Sequence, residues 1–158
     1  MDYLWSPWRY VYVTQEVPQK GCVFCNKAQQ SDDEENLILY RGQNSFVLLN
    51  LFPYTSGHLM IAPYAHVGEL SAADDTTWAE MTALTRKAEQ ALRQVYNPDG
   101  INLGMNLGKS AGAGIADHIH MHVLPRWYAD SNFMTTIGET RVLPEALPDT
   151  YRKLKPLF

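Results

Sequence analysis

The sequence predicts an α+β domain: an antiparallel sheet of about five strands with one long helix and a short C-terminal helix. Three observations carry this expectation. Short apolar runs bounded by turn residues recur before residue 65 and after residue 100. Between them, apolar residues recur at spacings of three and four from Trp78 to Val95. Near the C-terminal third, His118, His120 and His122 alternate with Ile119, Met121 and Val123, the period of two expected of a strand. The chain has 158 residues, a length that suits one domain. It is read as a single domain over 1–158 with an aromatic N-terminal arm at about 1–20 and a tail at about 128–158.

The elements follow in order. Residues 1–20 carry Tyr3, Trp5, Trp8, Tyr10 and Tyr12 without a sustained period and read as an arm against the body. Gln29 to Glu35 has no apolar side chain and reads as a solvated loop. Leu37–Tyr40 and Phe46–Leu49 form a hairpin around a five-residue connection, and Gly57–Pro63 is a third strand ended by proline. Ser71 is the expected N-cap of a helix running to about Tyr96, with Trp78, Met81, Leu84, Ala88, Leu92 and Val95 on its buried face. Asn97-Pro98-Asp99-Gly100 is a turn. A fourth strand spans about Ile101 to Asn106, and a glycine-rich loop leads into the histidine strand. Leu143-Pro144-Glu145 starts the last helix, which ends near Leu154.

Composition narrows the function. The chain is 46% hydrophobic and 19% charged, with no apolar run of the ~20 residues that span a bilayer. A net charge of −4 argues against sequence-independent binding to a polynucleotide, which needs a basic face. No basic segment followed by an apolar one opens the chain, so the expected compartment is the cytoplasm.

Three of the five histidines lie on one face of one strand, roughly 6.5–7 Å apart. Imidazoles so placed suit a metal shell, a pH-sensing cluster, or a nucleophile with helpers. A neutral imidazole can attack phosphorus, giving a phosphoramidate that divides one displacement into two. The preceding loop, Asn106-Leu107-Gly108-Lys109-Ser110-Ala111-Gly112-Ala113-Gly114, is not a P-loop, because Gly104 precedes Gly108 by four residues instead of five. Its glycines could let backbone N–H groups approach an anion. The only two cysteines form Cys22-x-x-Cys25, which is either half of a tetrahedral metal site or a redox pair. The redox reading is weaker because the motif does not read as opening a helix after a strand. His66, in Pro63-x-x-His66, and His118 are candidate further ligands.

At this point the chain resembles the histidine triad (HIT) superfamily of nucleotide hydrolases and transferases. His118 to Leu124 match its His-φ-His-φ-His-φ-φ pattern, φ being apolar. Asn50, Gly57-His58, Pro63-x-x-His66, Asn106 and the glycine-rich loop follow the family order. The Leu4-Trp5-Ser6-Pro7-Trp8-Arg9 start, the cysteine pair and Pro125-Arg126-Trp127 resemble a bacterial branch often described as diadenosine tetraphosphate phosphorylase-like. The likeness covers about residues 4–154. It implies a HIT-like antiparallel sheet and an enzyme cutting a phosphoanhydride or phosphoramidate of an adenine-containing nucleotide. His120 would be the nucleophile, His122 the leaving-group contact and His58 the upstream histidine beside them. Asn50 would bind ribose, and Asn106, Ser110, Gly112 and Gly114 the phosphates. Many members carry Gln, Ser or Thr where Gly114-Ile115 stands here, which leaves that contact to Ser110 or to backbone N–H groups. Cys22, Cys25, His66 and His118 would hold a structural zinc. The resemblance also implies a homodimer formed through the long helix and central strands. Competing expectations are a non-catalytic, zinc-stapled nucleotide-binding module and a catalytic metal site built on the triad itself.

Overall fold

The computed structural model describes residues 21–128, 130–132, 135, 137 and 143–158. The expected aromatic arm, with Trp5 and Trp8, lies outside them. The elements in order are α1 (Val23–Gln29), β1 (Ile38–Arg41), β2 (Ser45–Leu49), β3 (Leu59–Pro63), α2 (Asp75–Tyr96), β4 (Gly100–Gly104), β5 (Met121–Arg126) and α3 (Leu147–Leu154). The strands form one antiparallel sheet in the order β1-β2-β3-β5-β4. This is the expected α+β architecture. Because β5 inserts between β3 and β4, His122 lies within the sheet and β4 forms an edge.

The period of two divides the sheet into unlike faces. Leu39, Val47, Leu49, Leu59, Ile61, Ile119 and Val123 pack against Met81, Leu84, Ala88 and Leu92 of α2 and Tyr151 and Leu154 of α3. Each fully buried Leu or Ile there contributes roughly 1.5–3 kcal/mol. On the reverse face Ile38, Phe46, Leu48, Met60 and Ala62 enclose Phe24 of α1. The larger core lies on the helix side, and the reverse side is where the chemistry-bearing residues collect.

Several boundaries differ from expectation for local reasons. The α2 N-cap is Asp74, whose carboxylate accepts from the Thr77 N–H at 2.7 Å and the Thr76 hydroxyl at 2.7 Å. Ser71 sits instead in a 3-10 turn, Leu70–Ala72, with its hydroxyl on Glu69. Trp78 is 38% exposed; Thr77, one turn before Met81, takes the buried place expected of it. The hairpin connection is Gly42 to Asn44, since Arg41 and Ser45 belong to the strands. The third strand starts at Leu59, after Gly57 has turned the chain with φ +80°. The fourth spans Gly100–Gly104, not 101–106. Helix α3 begins at Leu147 with proline in its first turn, a place where the missing N–H costs nothing. Glu145, expected inside that helix, instead accepts from Thr150 and Tyr96 hydroxyls and from Lys153. The acidic loop is exposed as expected, yet Asp33 in it pairs with Arg41 at 2.8 Å. Among the described residues no helix is long and apolar enough to cross a membrane.

Candidate active site

Ladder pairing of β5 starts only at Met121, so His118 and His120 lie just before the strand expected to contain them. Alternation persists because the Ile119 N–H donates to the Val67 carbonyl at 2.8 Å, which keeps that segment extended. Ile119 and Val123 therefore face the helix-side core, and the three histidines face the other way. All three are at most 8% exposed.

The structure separates the triad into two groups. His118 joins Cys22, Cys25 and His66, whose four candidate ligand atoms lie within 4.8 Å of one another. Cys22 Sγ is 3.3 Å from His118 Nδ1, Cys25 Sγ is 3.4 Å from His66 Nδ1 and 3.6 Å from His118 Nδ1, and the two Nδ1 atoms are 3.2 Å apart. A tetrahedron of thiolate and imidazole around one zinc has edges of about 3.3–3.8 Å. The donor set and spacing thus fit such an ion. His118 Nε2–H donates to the Pro63 carbonyl at 2.8 Å, which leaves Nδ1 deprotonated and aimed at the centre. Cys22 is the N-cap of α1, so the pair opens a helix, while residues 1–20, where a preceding strand would have to lie, are outside the described residues. Among the described residues this is the one such cluster, and it draws His118 away from His120 and His122.

His120 and His122 belong to the second group. His120 Nδ1 is 2.9 Å from the His118 carbonyl, which can only accept, so Nδ1 carries the proton and Nε2 keeps its lone pair. Burial pushes this imidazole below the ordinary histidine range, partly opposed by that hydrogen bond. It is neutral at neutral pH, as a nucleophile must be. His122 is held lower still, at about 4, by burial and then by the adjacent His120. The His120 and His122 ring centres are 4.8 Å apart.

His58, 1% exposed, completes the group from the turn before β3. Its Nδ1 accepts from the Tyr54 backbone N–H at 3.1 Å, with the Asn50 amide 3.3 Å away. An accepting Nδ1 places the ring's proton on Nε2, which lies 2.8 Å from His122 Nδ1. His122 Nδ1 then accepts, and its own proton must sit on Nε2. The hydrogen-bond order thus presents one lone pair, on His120, beside one N–H donor, on His122. That pairing suits a nucleophile and a group that assists a departing oxygen.

The remaining expected residues are less concentrated. Asn50 is half-buried; its Nδ2 reaches His58 and its Oδ1 accepts from the Phe52 N–H at 3.0 Å. Asn106 is half-buried just beyond β4. Ser110, Gly112 and Gly114 are exposed on the β4–β5 connection. Three loop N–H groups are already spent within it: those of Ala111 and Ala113 bond to Gly108, and that of Gly112 to Lys109. Gly112 adopts φ +90°, where a side chain would be strained. Trp127 is half-buried with its ring edge on Tyr96.

Sequence reasoning missed two aromatic neighbours. Phe24, between the cysteines, has its ring centre 4.8 Å from that of His120. Tyr54 lies 4.6 Å from His58 and 5.9 Å from His122, ring centre to ring centre. The apolar residue inside Cys-x-x-Cys and the aromatic four residues before His58 were the available signals.

Comparison with known proteins agrees with this geometry. The chain is 43% identical over 158 aligned residues to the AP-4-A phosphorylase of Mycobacterium tuberculosis, covering 96% of this chain and 81% of that protein. It is 33% identical over 96 residues to the asymmetrical bis(5'-nucleosyl)-tetraphosphatase of Schizosaccharomyces pombe, covering 59% of this chain and 50% of that one. A crystal structure of a Zn-bound histidine triad family protein from Mycobacterium smegmatis superposes with a TM-score of 0.69 at 28% identity, covering 87% of this chain and 92% of the other. The HIT domain model matches residues 31–128, spanning the sheet and all three histidines, and the chain belongs to the HIT domain family.

Proposed function

We propose that this protein cleaves a dinucleoside polyphosphate, or a related adenylate, through a covalent nucleotidyl-histidine on His120. The observation that carries the reading is the tautomer of His120, whose Nδ1–H on the His118 carbonyl leaves Nε2 as an exclusive electron-pair donor. In the reaction Nε2 forms a bond to the α-phosphorus while the bond from that phosphorus to the leaving polyphosphate oxygen breaks. The departing oxygen is assisted by the His122 Nε2–H, whose orientation His58 sets. Phosphate or water then attacks the same phosphorus and restores His120. Asn50, Asn106, Ser110, Gly112 and Gly114 are assigned to the nucleotide, with Ser110 and the unspent loop N–H groups toward its phosphates. AP-4-A phosphorylase activity in a relative 43% identical supports this substrate class.

Cys22, Cys25, His66 and His118 would hold a zinc ion, which would supply a fixed charge and four stiff bonds to the fold. With four protein ligands it would leave no open position for substrate. Burial, then the adjacent Cys22, raise the Cys25 thiol above its ordinary value, a balance that a bound cation would reverse. A homodimer is part of the same reading, supported by Leu103 on the edge strand β4, 55% exposed, and by exposed Trp78 on α2. Light scattering on the purified protein measures it.

The deciding experiment is incubation with diadenosine tetraphosphate, with and without inorganic phosphate, and separation of the products. ADP with ATP formed only when phosphate is present identifies a phosphorylase. AMP with ATP formed without it identifies a hydrolase. Turnover surviving in purified His120→Ala would overturn the mechanism.

A further inference from the structure

The metal cradle and the His120–His122 pair are joined by more than the chain from His118 to His120. Phe24 is 1% exposed and lies between the two cysteines, with its ring centre 4.8 Å from that of His120 and 5.1 Å from that of His118. Helix α1, which carries it, has seven residues, too few to hold itself in water. It is fastened from outside. Arg41 donates to the Ala28 carbonyl at 2.7 Å and the Gln30 carbonyl at 2.6 Å, and Lys27 donates to the Asn36 carbonyl at 2.9 Å. The cysteines face the metal cradle from the other end of the helix. Phe24 is therefore gripped on both sides.

His120 has a complementary need. Its Nδ1–H on the His118 carbonyl fixes one edge of the imidazole, but a single hydrogen bond leaves the ring free to tilt about that edge. A neighbouring ring limits that freedom, and Phe24 lies beside His120, tilted by 42° with its ring centre 4.8 Å away.

We propose that Phe24 is a positioning residue for the reaction: its ring braces His120 so that Nε2 stays on line with the substrate phosphorus, and the metal cradle holds Phe24 in place. The proposal rests on His120 being the nucleophile. It makes the cradle a mount for the nucleophile as well as a staple for the fold.

The test uses Phe24→Leu and Phe24→Ala in the full chain, with bound metal quantified in each preparation. Displacement of a reacting atom by about 1 Å can cost ~100-fold in rate, so kcat should fall about tenfold in Phe24→Leu and about 100-fold in Phe24→Ala. KM should stay within about threefold, since substrate contacts are not removed. The Phe > Leu > Ala order is the graded rescue that bracing predicts. The His120 Nδ1–H should give a downfield imidazole proton resonance in the wild type that broadens or vanishes in both variants, while bound metal per chain is unchanged. The idea is overturned if kcat in Phe24→Leu stays within about twofold of wild type, if its loss tracks loss of metal, or if kcat falls with that resonance intact. Should Phe24→Ala not fold, Phe24→Leu decides. His120→Ala separates the two layers of argument. Turnover in it refutes the nucleotidyl-histidine reading, whereas an inactive His120→Ala beside fully active Phe24 variants refutes the bracing alone.

Discussion

His58 Nε2 and His122 Nδ1 lie 2.8 Å apart in the protein interior, and the backbone N–H of Tyr54 on the far side of His58 fixes which of them donates. A main-chain donor cannot be titrated, so the proton order along this line is set by the fold. The β2–β3 turn thereby orients His122 through His58.

The first prediction concerns that line. His58→Ala removes the donor to His122 Nδ1 and frees His122 to place its proton on either nitrogen. Loss of a positioned acid–base group costs roughly 10²–10⁴ in rate, and an indirect contributor should fall at the low end. We expect kcat on diadenosine tetraphosphate to drop about 100-fold with little change in KM. An unchanged kcat would remove His58 from the mechanism.

Acid should destabilise the protein through His122. Its ordinary value is 6.5 and the folded value about 4, lowered by burial and then by His120. Between these values the unfolded chain takes a proton that the folded chain refuses, so stability falls as pH drops through this window and is unaffected by this group above it. The contribution is at most about one proton of slope, ~1.4 kcal/mol per pH unit. Urea unfolding of wild type and His122→Gln from pH 7 to pH 4 should give a steeper acid loss for wild type. Parallel curves would contradict the lowered value.

Metal removal should loosen the fold on the chemistry side. We expect one zinc per chain in the purified protein and none in Cys25→Ser. Loss of a structural ion typically costs several kcal/mol, which for a chain of this size lowers Tm by roughly 10 °C. Calorimetry with parallel metal analysis checks it, and an unchanged Tm in a metal-free wild type would make the cradle dispensable.

Gly57 offers a test of close packing. It has φ +80°, and a Cβ there would meet Tyr96 at 3.0 Å, Leu92 at 3.1 Å and Pro125 at 3.2 Å. Gly57→Ala combines backbone strain with overpacking and should cost about 1–3 kcal/mol in denaturant unfolding. Because His58 is the next residue, kcat should fall as well. A variant as stable as wild type would show that the turn can relax.

Much of this could be read in the sequence, for identifiable reasons. The alternation from His118 to Val123 survives as two faces because a period of two is a property of extended backbone, whether or not ladder bonds form. Residue type offered His66 and His118 as candidate partners of Cys22 and Cys25, but a pair 52 residues apart has no local signal, so their assignment as one set followed from family resemblance. Asp74 was missed as the helix cap because Ser71 is equally suitable by residue type, and the choice depends on where the 3-10 turn ends. Trp78 was misplaced because spacings of three and four admit two adjacent stripes, and the buried one runs through Thr77, which carries no apolar signal. The roles of the Tyr54 N–H and of the Pro63 and His118 carbonyls were invisible, since every residue carries these groups and only tertiary pairing gives them direction.

Residues 118–123 interleave two vocabularies one letter at a time: odd positions specify cohesion and even positions carry the imidazoles. Insertion or deletion of a single residue just before His118 would exchange them, turning imidazoles toward Leu84 and Leu92 and aliphatic chains toward Phe24. A substitution in this segment therefore alters one side of the sheet at a time, whereas a change of length alters both at once.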